Sequence, residues 1–300
     1  MSAFHSGEML SYSAGSTQTG PDGFRKVNRA GLPLLGLVRK LFPAVYAPFG
    51  TRLPLVLNAY PASVGFPTDG VLVDCYLSFR TASRALQLAA REGLPCLMLG
   101  QSLFIAELLR RHQAQGFAWP VALIALVGGY YTPQGVEQTM QDWLRPAGVS
   151  LGFVHGYGVA EVEAGMLLAS ERNPAGDLHY RPRGEDIHIS VREGRLHLAL
   201  QDASGTLRAA PFDSGDRVRA DGEGWIIENG TSRLHPEVRA AIDHWTGDDW
   251  ARRTGYLHRQ DGEMLMQLRE GVAPAQDHEL AFHRYAERFG MSWLDKPKWG

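Results

Sequence analysis

The chain has 300 residues, 44% of them hydrophobic, and a formal net charge of -2. That is enough to bury a large core, with none of the basic excess a nucleic-acid or anionic-membrane partner asks for. Its two cysteines, Cys75 and Cys96, sit in apolar strand-like runs without a CxxC or Cys/His cluster, which argues against zinc and for buried, reduced thiols in a cytoplasmic protein.

Residues 1–8 carry no basic stretch leading into an apolar one, and the longest apolar run, 121–127, is too short to span a bilayer. A soluble chain is therefore expected. Residues 8–13 read as a short strand. The Gly-, Ser- and Thr-rich stretch from Ala14 to Gly23 follows, with Arg25 and Lys26 beyond it. Such a run leaves backbone N–H groups free to surround an anion, and equally suits a polar N-terminal loop. Gly15 and Gly20 have the Walker spacing, but Pro21 stands where the lysine is needed, so a Walker-type nucleotide hydrolase is excluded.

From there the periodicity alternates. A helix is expected over 30–45, strands over 55–59 and 71–77, and a helix over 78–92. A strand over 96–100 is followed by a helix over 102–115, with Ser102 as N-cap and Gly116 as its stop. A buried strand over 121–127 opens onto Gly128-Gly129, and a helix from Thr132-Pro133 runs through Leu144. A strand over 151–155 then enters His155-Gly156-Tyr157-Gly158, where a turn or a close approach to a ligand is expected, with Glu161 and Glu163 just beyond. Strands alternating with helices predict an α/β fold with a mainly parallel sheet and flanking helices. The residues alone leave open whether Tyr157 serves a site or packs in a turn.

Between 186 and 228 helical periods stop. Hairpin strands are expected over 187–191, 195–200, 216–219 and 225–228, joined at Glu193-Gly194 and at 221–224. Asp216, after Ser214-Gly215, stands at an expected strand start, where it could accept hydrogen bonds from a diol or sit in an ordinary turn. Residues 234–300 suggest a small α+β C-terminal lobe with helices over 235–245 and 277–289 and a hairpin over 254–268. The expected division is a core over 1–233, its α/β part ending near 185 and its antiparallel β region covering 186–233, then the lobe.

Taken in order, these motifs resemble the adenylate-forming superfamily, which includes acyl- and aryl-CoA synthetases, adenylation domains of peptide synthetases and firefly luciferase. Ser13, Gly15, Ser16, Thr17, Thr19, Gly20 and Lys26 lie in a segment similar to its phosphate loop. Gly128-Gly129 resembles the glycine pair that approaches the nucleotide. Tyr157-Gly158-Val159-Ala160-Glu161 resembles Tyr-Gly-x-Thr-Glu, which implies that Tyr157 stacks on adenine and Glu161 binds Mg²⁺. Ser214-Gly215-Asp216 resembles Thr-Gly-Asp, which implies that Asp216 holds the ribose, and Arg233 lies where the family has a ribose- and phosphate-facing arginine.

The resemblance implies ATP and Mg²⁺ as cofactors and activation of a small carboxylic acid to an acyl-adenylate. Transfer to a thiol of CoA or a carrier protein would follow, and His155, at a strand end, either faces the acyl carboxylate or has a structural role. The departures are equally plain. The chain begins almost on the phosphate loop, Gln18-Thr19 are extra, and Ala160 replaces the threonine. No terminal Gly-Lys hairpin is recognisable, which leaves Lys298 as the candidate catalytic lysine or as a solvated tail residue. These losses also fit an inactive relative that binds nucleotide or acyl-adenylate, or acts as a partner subunit. A second copy covering the sheet edge, making a homodimer, is a further expectation.

Overall fold

A computed structural model of the chain describes residues 9–12, 24–27, 34–59, 70–75, 79–100, 102–128, 132, 134–159, 162–227, 254–260, 263–268 and 279–283. A short antiparallel pair comes first, β1 (Met9–Tyr12) against β2 (Phe24–Val27). The expected helix over 30–45 is two pieces, α1 (Leu34–Leu41) and α2 (Pro43–Tyr46). Pro43 supplies no N–H to continue α1 and suits the first turn of a new helix.

The alternating section follows the expectation closely. It comprises β3 (Leu55–Asn58), β4 (Val71–Asp74), α3 (Phe79–Arg91), β5 (Cys96–Gly100), α4 (Ser102–Ala114), β6 (Leu123–Gly128), α5 (Gln134–Leu144) and β7 (Leu151–Val159). All five strands run parallel, in the order β7-β6-β5-β3-β4. Their side chains alternate between two cores. Leu55, Leu57, Cys96, Met98, Leu123, Ala125, Val127, Leu151 and Phe153 pack with α3, α4 and α5, while Val56, Leu97, Leu99, Ile124, Leu126 and Val154 pack with α1 and Phe42 on the other face. Strands buried on both faces read as continuous apolar runs, which is why the sequence signalled them so clearly.

Several local expectations need correction. The hydroxyl of Ser102 is buried without a hydrogen-bond partner, so Ser102 lies in the first turn of α4 and does not cap it. Gly116, at φ +67, does stop that helix. No break occurs at Gly156-Tyr157-Gly158. β7 continues to Val159, because β8 (Glu163–Ala169) pairs antiparallel with it and takes up its backbone groups. The irregularity falls in β8 instead, where Gly165 at φ +63 accommodates the register shift opposite Gly158.

The antiparallel strands extend this same sheet. Beyond β8 come β9 (His179–Pro182), β13 (Gly224–Ile227), β12 (Phe212–Asp221), β11 (Arg195–Leu200) and β10 (Ile187–Arg192), making 11 strands in all. Glu193-Gly194, both at positive φ, form the two-residue turn between β10 and β11. Tyr157, Met166, Leu167, Ile187, Leu196, Leu198, Val218 and Ile227 form a third core within this half.

Farther on, β14 (Thr254–Gln260), β15 (Glu263–Leu268) and β16 (Glu279–His283) make a three-stranded antiparallel sheet. The hairpin over 254–268 is as expected. The helix over 277–289 is not: Leu280 and Ala281 pair with Met266 and Leu265, so this stretch supplies a strand. The expected helix over 235–245 lies outside the described residues. Among the described residues no helix is long and apolar enough to cross a membrane.

Candidate functional site

Tyr157 and Asp216, 59 residues apart, meet directly: the phenol donates to Asp216 Oδ2 at 2.6 Å. In the order β12-β13-β9-β8-β7 their strands are four steps apart, which at about 4.8 Å per step would separate them by roughly 19 Å in a flat sheet. The contact therefore requires the antiparallel half to curl, and the third core is what it curls around. Tyr157 is 1% exposed, its ring set among those apolar side chains and edge-on to Tyr180, with centroids 6.1 Å apart. Burial, and after it the charge of Asp216, push the phenol far above its usual range, so it stays a donor at neutral pH.

Asp216 reaches Tyr157 because its strand bulges. His197 pairs with Asp213 and Arg195 with Arg217, so Ser214, Gly215 and Asp216 together face the single residue Leu196. Gly215 adopts φ +77 and accepts no side chain without strain. The Ser214 hydroxyl donates to Leu196 O at 2.9 Å and accepts from Asp216 N at 3.2 Å, and Asp213 Oδ1 accepts from Gly215 N at 2.8 Å. Ser-Gly-Asp is thus a built kink inside β12, where a strand start was expected, and it aims a carboxylate at the core face.

A second cluster surrounds His155, which is 3% exposed in the middle of β7. Its Nε2 lies 3.3 Å from Glu137 Oε1 in the first turn of α5. Arg172 pairs with the same carboxylate. It also donates to Thr132 O and to Gly176 O, each at 2.8 Å. Burial on its own would raise the Glu137 carboxyl. The charges of His155 and Arg172 and their hydrogen bonds outweigh it and hold the group below the ordinary carboxylate range.

Glu163, the first residue of β8, is also buried, 4% exposed. Arg183 grips it with two hydrogen bonds, 3.1 Å to Oε1 and 2.9 Å to Oε2, and donates 3.1 Å to Asp186. This fork leaves Glu163 a structural ion pair that ties the first residue of β8 to the residue after β9. Among the described residues no group of three or more His, Cys, Asp or Glu could hold a metal ion.

The structure thus brings Tyr157 and Asp216 together and sets His155 against Glu137. Lys26 lies in β2 opposite Leu10. Ser13, Gly15, Ser16, Thr17, Thr19, Gly20, Gly129, Glu161, Arg233 and Lys298 lie outside the described residues. Sequence reading missed Glu137, Arg172 and Arg183. Glu137 looked like any first-turn acid, and no local pattern links it to partners 18 and 35 positions away.

No family model and no curated protein matches the chain. Among solved structures it is similar to an acyl-CoA synthetase (AMP-forming)/AMP-acid ligase II-like protein from Dyadobacter fermentans, at 13% identity and a TM-score of 0.48, over 90% of this chain and 76% of that one. It is similar also to the anthranilate CoA ligase AuaEII in complex with anthranoyl-AMP, at 13% identity and a TM-score of 0.48, over 89% of this chain and 58% of that one. The Vibrio cholerae adenylation domain AlmE, in complex with glycyl-adenosine-5'-phosphate, is matched at 13% identity and a TM-score of 0.44, over 77% of this chain and 49% of that one. The matches span from about half to three quarters of those proteins' lengths.

Proposed function

We propose that the chain is an adenylate-forming ligase, which joins a small carboxylic acid to the α-phosphate of ATP with release of pyrophosphate and then passes the acyl group to a thiol of CoA or a carrier protein. The observation that carries this reading is the Tyr157–Asp216 contact at 2.6 Å. Two motifs singled out separately for adenine and for ribose meet in space, although 59 residues and four strand steps separate them. In the proposed site Asp216 exchanges the phenol for the ribose hydroxyls. The backbone of residues 15–20, with Ser13, Ser16, Thr17, Thr19 and Lys26, holds the phosphates, Gly129 admits the nucleotide, and Arg233 faces ribose and phosphate. Glu161 would hold magnesium, whose charge offsets that of the phosphates when bound. The reaction asks chiefly for in-line placement of the substrate carboxylate and for charge neutralisation. His155 and Lys298 are the groups proposed to face the reacting carboxylate.

A second reading is favoured by a specific observation. The Tyr157 ring is covered by the side chains of the third core, and one oxygen of Asp216 is already engaged. A base can stack on that ring only after a neighbour moves. With Ala160 in place of threonine, this suits an inactive relative that binds nucleotide or acyl-adenylate, or a partner subunit. Pyrophosphate exchange against a panel of carboxylic acids separates the two. Exchange that is lost in Glu161→Gln supports the ligase, whereas nucleotide binding without exchange supports the binding protein.

A further inference from the structure

We propose that Arg172 is a positioning residue of the candidate nucleotide site, a clamp that holds Thr132 and the first turn of α5 beside β7. This deepens the ligase reading and rests on it for the identity of the site. Contacts of the Arg172 guanidinium reach other segments and close its own turn. One nitrogen donates to Thr132 O, immediately ahead of α5, and another to Gly176 O in the β8–β9 connection, each at 2.8 Å. A further partner is Glu137 in the first turn of α5, which also faces His155 of β7. The arginine side chain is 10% exposed and the glutamate 13%, so little solvent screens the pair. The planar guanidinium fork fixes direction as well as distance, which an ammonium cannot do.

The placement gives the clamp its function. β6 ends at Gly128, which pairs with Gly156 of β7, one residue before Tyr157. The backbone carbonyl of Thr132 is therefore tied to the same charged centre that touches β7 two residues before Tyr157. A shift of α5 relative to β7 would break the His155–Glu137 contact and the Thr132 hydrogen bond together. The carbonyl it holds, that of Thr132, lies beyond the carboxyl end of β6, the side on which ligands of open α/β sheets sit.

The test is amide hydrogen exchange of the unliganded protein, wild type against Arg172→Gln, Arg172→Lys and Glu137→Gln, followed by ATP kinetics in pyrophosphate exchange. Arg172→Gln should speed exchange over 132–137 at least tenfold and leave β5 and α3 unchanged. It should raise KM for ATP about tenfold with kcat altered less than about twofold. Arg172→Lys should recover part of both effects, and Glu137→Gln should loosen 132–137 less, because it keeps the Thr132 hydrogen bond. Unchanged exchange over 132–137 overturns the clamp, as does an increase spread equally over β5 and α3, which would mark a loss of global stability. A fall in kcat with KM for ATP unchanged also overturns it. Localised loosening in a protein whose wild type exchanges no pyrophosphate refutes the ligase reading and leaves the clamp standing, since hydrogen exchange is read without nucleotide.

Discussion

Replacing Tyr157 by Phe isolates the contact on which the site is built. The substitution keeps the ring in the third core and deletes only the hydroxyl that donates to Asp216 at 2.6 Å. A hydrogen bond to a charged acceptor contributes about 1.5–3 kcal/mol, and because Asp216 is half-exposed the lower end applies, about 1.5 kcal/mol at pH 7. The pH dependence gives a sharper signature. The phenol is pushed far above its usual range in the folded protein, whereas in the unfolded chain it ionises near pH ~10. Above that pH the unfolded chain has lost a proton that the folded protein retains, so wild-type stability falls by about 1.4 kcal/mol per pH unit from this group. The variant lacks that loss, and the other tyrosines cancel in the difference. Urea unfolding followed by tryptophan fluorescence should therefore show a gap of about 1.5 kcal/mol from pH 7 to 9 that closes at about pH 11. A variant as stable as wild type at pH 7, or a gap constant to pH 11, would refute the contact.

Three further outcomes follow from the buried charges and the kink. Glu163→Gln should cost about 3 kcal/mol in urea unfolding, the low end for breaking a buried pair, because Arg183 retains Asp186 as a partner. Glu137 has a depressed carboxyl, so its contribution is complete above the unfolded value near pH ~4.3 and is lost as pH falls through the folded value. The stability gap between wild type and Glu137→Gln should accordingly be present at pH 7 and shrink below about pH 4, and a gap that widens in acid contradicts the pairing. Gly215→Ala places a side chain at φ +77 and should destabilise by about 1–2 kcal/mol. If Gly215 also aims Asp216, removing the Tyr157 hydroxyl in that background should cost less than it does alone, which a double-mutant cycle measures.

What could be read from the sequence follows from how each element is buried. β3, β5 and β6 announce themselves because both faces are covered, and the helices between them carry one apolar stripe each. β8 was missed although Met166-Leu167-Leu168-Ala169 is apolar, since glycines at 156 and 158 argued for a break that pairing with β8 overrides. Residues 277–289 carried a helical period, yet Leu280 and Phe282 also satisfy a period of two, and the open edge of β15 decides between them. Ser102 had the right residue type for a cap without the geometry. Tyr157 and Asp216 were found as motifs, by resemblance. That they touch depends on the curl of the sheet, which no local pattern encodes.

The central claim is that Tyr157 and Asp216 form one wall of a nucleotide site, and a crystal structure of the protein soaked with ATP and Mg²⁺ tests it most directly. The account predicts ribose hydroxyls on Asp216, with the Tyr157 phenol displaced from Oδ2 and its ring against the adenine. Nucleotide bound elsewhere on the protein, with the 2.6 Å contact intact, would contradict it.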